Sequence, residues 1–174
     1  MMSNKFETDT KYLIDAFFKE YFNSQESNDI ILKTIKKEVN ILFDKHRLVY
    51  SNMINDISIT TEIDILVKKT AESIFSDGLV NWGRIISLIT FGILIVEYLK
   101  TINNTDKITS VSTIISSYLI EHQKHWLIKN NAWIGLVDFF TVQTYTSPVK
   151  SLLTFFIVFM GTGAMLYSAF NLTY

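Results

Sequence analysis

Asn81-Trp82-Gly83-Arg84 stands at the head of an uncharged apolar run, residues 85–96. Arginine keeps its proton at any ordinary pH and offers five donors in a planar fork that matches a carboxylate. At the mouth of a helix with no polar face, that cation needs an anion from the protein or from a ligand. Glu62, Asp64, Glu72 and Asp138 are the internal carboxylates that could serve. Asn81 reads as an N-cap, since its side chain can accept from the orphan N–H groups of the apolar helix.

The other reactive side chains form no constellation. His122 and His125 lie three apart and could both face a metal, yet no Cys accompanies them and Glu121 is in the wrong order for a zincin. No metal site is expected there, only a solvated, weakly basic face. Asp77-Gly78 reads as a stop and turn rather than a phosphate loop, and Lys36-Lys37 as an exposed face. Without a nucleophile–base pair, the chain is not expected to be an enzyme, to carry a cofactor or to take a small-molecule substrate.

These residues must be positioned by helices. With 174 residues, 48% hydrophobic and 14% aromatic, and only one Pro and six Gly, the sequence suits one all-α domain and is neither disordered nor a turn-rich sandwich. A net charge of −1 gives no basic field for nucleic acid, and the absence of Cys excludes disulfides and zinc–thiolate sites. Helical spacing predicts helices over 10–22, 29–46, 48–55, 60–75 (capped by Thr60 or Thr61), 108–121, 121–129 and 131–140. The central run is too short to span a bilayer, so it reads as a buried core helix. Strand signals are absent.

Both chain ends bear on the address. Residues 1–10 carry Lys5, Glu7 and Asp9 and have no apolar core, which speaks against a secretory signal. From Leu152 to Phe170 there is no charge at all. Those 19 residues reach about 28 Å as a helix, close to the ~30 Å of a bilayer's hydrocarbon core. The expected organisation is a helical domain over 1–141, a linker over 142–150 and a membrane anchor over 151–172. The domain is expected on the cytosolic side.

Taken together these features resemble one family. Phe75, Asp77-Gly78, Asn81-Trp82-Gly83-Arg84, Phe91 and Gly92 resemble the first Bcl-2 homology motif, with Asn-Trp-Gly-Arg complete. Trp126 and Trp133, with Phe140 where the motif ends, resemble the second, and the apolar tail resembles the family's anchor. There are departures. Leu79-Val80 puts two residues between Gly78 and Asn81 where familiar members have one, and Asn131-Ala132 stands where a Gly pair is usual. The third motif is degenerate, its expected Gly-Asp falling on Lys36-Lys37.

The resemblance implies a Bcl-2-like helical bundle around a central hairpin, 85–99 with 108–121. It implies a surface groove for the amphipathic third-motif helix of pro-death relatives. Apolar pockets would be supplied by Val39 and Phe43, Tyr50 and Met53, and Leu66, Thr70 and Ile74, over a floor of Ile86 and Phe91. Arg84 would pair with the ligand's Asp, Asn81 would add a polar contact and Gly83 would let the ligand backbone come close. On this reading a ligand's carboxylate is favoured over an internal partner. The missing Gly-Asp points to the inhibitory branch, at the mitochondrial outer membrane or the endoplasmic reticulum. Shortness and an Ile/Asn-heavy composition suggest a viral, avipox-like member. The alternatives are a pore-forming effector and a Bcl-2-fold inhibitor of immune signalling.

Overall fold

The computed structural model describes residues 2–22, 27–46 and 62–143. Their helices are α1 (Met2–Glu20), α2 (Ile30–Lys45), α3 (Ile63–Ile74), α4 (Trp82–Thr101), α5 (Ile108–His122), α6 (Lys124–Lys129) and α7 (Ala132–Gln143). A 3-10 turn, Thr105–Lys107, leads into α5, and no strand occurs among the described residues. The chain divides into Met1–Phe140 and Thr141–Tyr174. The expected helix over 48–55, the caps Thr60 and Thr61, Tyr50, Met53 and the apolar tail from Leu152 to Phe170 lie outside the described residues.

Helix α4 organises the bundle. It is 20 residues long, and its most apolar 18-residue stretch has a mean hydropathy of 1.6, enough by length and composition alone to cross a membrane, yet 89% of that stretch is buried. Its lack of a polar face is met by packing against α2, α3 and α5 on different sides. The expected core helix is therefore present, extended at both ends of the apolar run. Asn81 caps it as expected: its Oδ1 accepts from the Arg84 N–H at 2.9 Å.

Gly92 sits where neighbours press closest on α4. A Cβ there would lie 2.4 Å from Ile115 Cδ1 of α5 and 2.5 Å from Phe18 Cζ of α1. The missing side chain thus admits two helices at once. On α1 the buried residues are Phe6, Thr10, Leu13, Ile14, Phe17 and Phe18, one continuous stripe at helical spacing. The helix begins at Met2, well before the expected residue 10. Lys5, Glu7 and Asp9 point away from the stripe's first member, Phe6, and their charges mask it in the sequence.

Helix α2 starts on Asp29, whose carboxylate accepts from Ile31 N–H at 2.7 Å, and it buries Leu32, Ile35, Val39 and Leu42. Glu38 is buried among them, with Lys37 Nζ at 3.5 Å. Burial pushes its carboxyl above the usual range, with Lys37 opposing. Asp64 at the start of α3 accepts from Ser110 Oγ at 2.9 Å and Lys107 Nζ at 3.2 Å, tying that helix to the entrance of α5. Lys124 and Glu7 pair across α6 and α1.

The turn between α6 and α7 keeps a left-handed backbone although the expected Gly pair is absent. Asn131 has φ 64° and Ala132 φ 46°. Asn tolerates this conformation, whereas Ala carries a penalty of about 1–2 kcal/mol for its Cβ. Ala132→Gly should therefore stabilise the protein by about 0.5–1 kcal/mol, after the entropy that glycine adds to the unfolded chain. Denaturant titration checks this, and a loss of stability would show that Ala132 is unstrained.

Candidate ligand-binding site around Arg84

The site is built by the connection from α3 to α4. Helix α3 ends at Ile74 and is capped by Phe75, whose ring stacks on Tyr118 of α5 with centroids 5.7 Å apart. The chain then turns back, with Gly78 N–H donating to Phe75 O at 3.0 Å and Gly78 at φ +74°. A Cβ would meet no neighbour there, so the glycine serves the backbone conformation and not a close contact. Leu79 N–H donates to Asp77 Oδ1 at 3.0 Å and fixes the direction of that carboxylate.

The carboxylate points at Arg84. Nη2 donates to Asp77 Oδ2 at 2.5 Å and Nη1 donates to Asp77 Oδ1, a bidentate fork. Nη1 also donates to Ile74 O at 3.0 Å and to Leu79 O at 2.7 Å. The Arg84 side chain is 3% exposed and that of Asp77 is 50% exposed. A permanent cation is costly to bury, and this one is held by a carboxylate and two carbonyls. The Asp77 carboxyl is held well below the usual carboxylate range, first by the Arg84 hydrogen bond and then by the Leu79 N–H. A lowered carboxyl gives stability that is present above its unfolded value and lost only as pH falls through the lowered one. The pair therefore stays intact at physiological pH and in moderate acid.

Asp77 is not among the internal partners expected from sequence. Glu62, Asp64, Glu72 and Asp138 lie elsewhere: Asp64 serves Lys107 and Ser110, and Asp138 accepts from Asn131 Nδ2 at 3.4 Å. The Asp-Gly step is legible as a turn. A carboxylate immediately before a left-handed glycine can fold back on the residues beyond the turn, and that signal could have identified it. Leu79, one of the two residues that stand between Gly78 and Asn81 where familiar members have one, supplies a carbonyl to the guanidinium. In this structure the internal ion pair is thus made, contrary to the preference for an external carboxylate alone.

Val39 and Phe43 on α2, and Leu66, Thr70 and Ile74 on α3, belong to helices that both pack on α4. Ile86 and Phe91 lie on α4 itself. Leu66 and Phe43 are partly exposed, whereas Val39, Thr70, Ile74, Ile86, Phe91 and Gly83 are buried. A ligand helix that reached the buried ones would have to displace what now covers them. Asn81 uses its side-chain oxygen on the helix cap.

All three tryptophans meet beside this site. The Trp82 ring lies 5.1 Å from that of Trp126, edge-on, and 6.3 Å from that of Trp133. Trp133 Nε1 donates to Thr10 Oγ1 at 3.0 Å, joining α7 to α1. Phe140 is buried as well. These aromatics fix the start of α4 against α6, α7 and, through Thr10, α1. They form a structural clamp under the Arg84 corner.

Known proteins resemble this chain in sequence and fold. The model of the apoptosis regulator proteins, Bcl-2 family, matches residues 35–133, more than half of the chain. The chain belongs to the Bcl-2 family. Among family relatives, anti-apoptotic protein NR13 of Coturnix japonica is 28% identical over 79 residues, 45% of each chain. Bcl-2-related protein A1 of Bos taurus is 32% identical over 71 residues, 39% of this chain and 41% of that one. The apoptosis regulator Bcl-2 homolog of Canarypox virus is 26% identical over 132 residues, 71% of each. The match thus spans about half the length of the first two relatives. The Bcl-2 fold is shared with the zebrafish pro-survival protein NRZ in its complex with Bad BH3. That structure has a TM-score of 0.73 and 20% identity, over 80% of this chain and 97% of that one.

Proposed function

We propose that this chain is an anti-apoptotic Bcl-2 protein, not an enzyme, that captures the third-motif helix of pro-death relatives between α2, α3 and α4. The observation that carries this is the complete Asn81–Arg84 corner: a buried guanidinium held by Asp77 and two carbonyls at the head of an apolar helix on which α2 and α3 both pack. Such recognition needs apolar anchors at i, i+3 or i+4 and i+7, plus one polar group that sets register. Arg84 is that group. The anti-apoptotic name of the quail relative and the pro-survival name of the zebrafish neighbour favour the inhibitory direction. Lys36-Lys37, where a death ligand needs Gly-Asp, favours it too.

The tail from Leu152 to Phe170 would hold the protein in the mitochondrial outer membrane or that of the endoplasmic reticulum, facing the cytosol. A poxviral source agrees with the canarypox relative. The test is expression of the full chain in cells given a mitochondrial death stimulus. Survival is the expected result. Killing, or leakage of liposomes by the purified protein, would assign it to the pore-forming effectors. Unchanged death without peptide binding would assign it to the immune-signalling class.

A further inference from the structure

A guanidinium kept ready for a ligand's carboxylate faces a difficulty before the ligand arrives: a buried cation without an anion is costly. Here Asp77 fills that place. It takes both terminal nitrogens of Arg84 in the bidentate manner a ligand carboxylate would use. The two carboxylate oxygens cannot share that edge with a second carboxylate. Exposure separates the partners: the Asp77 side chain is half in water while Arg84 is 3% exposed. An approaching helix therefore meets the carboxylate before the cation. Asp77 can also turn into solvent without leaving Arg84 adrift, because Ile74 O and Leu79 O still hold Nη1.

We propose that Asp77 is an internal competitor for the ligand's acid, so that binding at Arg84 is an exchange of one carboxylate for another. This rests on the groove reading given above and adds its regulation. The exchange keeps the guanidinium paired throughout. It also narrows selectivity, since a ligand with an acid must displace Asp77 whereas one without it binds by its apolar anchors and leaves the pair closed. Asp77 is thus a specificity-determining residue that lowers the advantage of acidic ligands.

The experiment is a double cycle with the full-length protein in detergent. A third-motif helical peptide carrying the acid, and its Asp→Asn analogue, are titrated against wild type and Asp77→Asn. Asn keeps the turn to Leu79 but not the charge. If Asp77 occupies the fork nine-tenths of the time, removing it tightens the acidic peptide about tenfold and leaves the analogue unchanged. Equal affinities of wild type and Asp77→Asn for the acidic peptide would overturn the competition while leaving the groove reading standing. Binding of neither peptide to wild type would overturn the groove reading itself. Should Asp77→Asn fail to fold, wild type alone decides through the carboxyl carbon signal of Asp77. Saturation with the acidic peptide should return its titration toward the ordinary aspartate range, and the Asn analogue should not. No change with the acidic peptide overturns the exchange.

Discussion

Arg84→Ala should weaken binding of an acid-bearing third-motif helix by about 2 kcal/mol, roughly 30-fold. Truncating one partner of a buried charge pair costs about 2–5 kcal/mol, largely because the other charge is left without its mate. The lower end applies because Asp77 already competes for the fork, so the ligand gains only the difference between two carboxylates. Arg84→Lys should fall between wild type and Ala, since it keeps the charge but not the two-point geometry. The Asn analogue of the peptide should lose little on either substitution. Calorimetry showing less than about a threefold change for Arg84→Ala would remove Arg84 from ligand recognition. That would leave it the role of holding the α3–α4 turn through Asp77, Ile74 and Leu79.

The largest effect on stability is expected from Gly135→Ala. A Cβ there would lie 1.8 Å from Asn130 O and 3.2 Å from Cζ2 of Trp82. The first neighbour is backbone at the end of α6 and cannot rotate away. The second belongs to the tryptophan clamp. The start of α7 would have to move off both, opening the contacts that Trp133 makes with Trp82 and Thr10. Overpacking typically costs about 1–3 kcal/mol, and a rigid neighbour places this site at the top of that range. With about 2–4 °C lost per kcal/mol in a chain of this size, the melting temperature should fall by roughly 6–12 °C. A drop of less than about 2 °C would mean that the α6–α7 turn yields easily. Gly92→Ala makes an instructive comparison, because its obstacles are the ends of side chains, Ile115 Cδ1 and the Phe18 ring, which can turn.

The features legible in the sequence are those set by local chemistry. Residues 85–96 announce a helix with no solvent face, and the structure buries it. Asn81 announces a cap and forms one. Trp126 and Trp133, at a suggestive spacing, become part of one cluster, although only the fold shows that Trp82 joins them. The hidden features depend on residues far apart in the chain. Thr10 is buried and accepts from Trp133, a relation across more than a hundred positions. Periodicity starts the first helix too late because three charges interrupt its opening turns, while Phe6 alone carries the apolar signal there. Periodicity also marks Val39 and Ile74 as inward-facing, and it does not distinguish a core from a closed groove. The partner of Arg84 escapes because an Asp-Gly step signals a backbone turn more loudly than it signals a charge.

One measurement tests the groove assignment most directly. A third-motif peptide bearing a spin label beside its acid would be added to the isotope-labelled full-length protein, and the broadening of amide signals mapped. Capture between α2, α3 and α4 predicts fading at Thr70, Ile74, Gly83 and Ile86, on α3 and the head of α4. Signals around Tyr12 and Ile134, which line a separate cavity between α1 and α7, should persist. Broadening at Tyr12 and Ile134 with Gly83 and Ile86 untouched would contradict it.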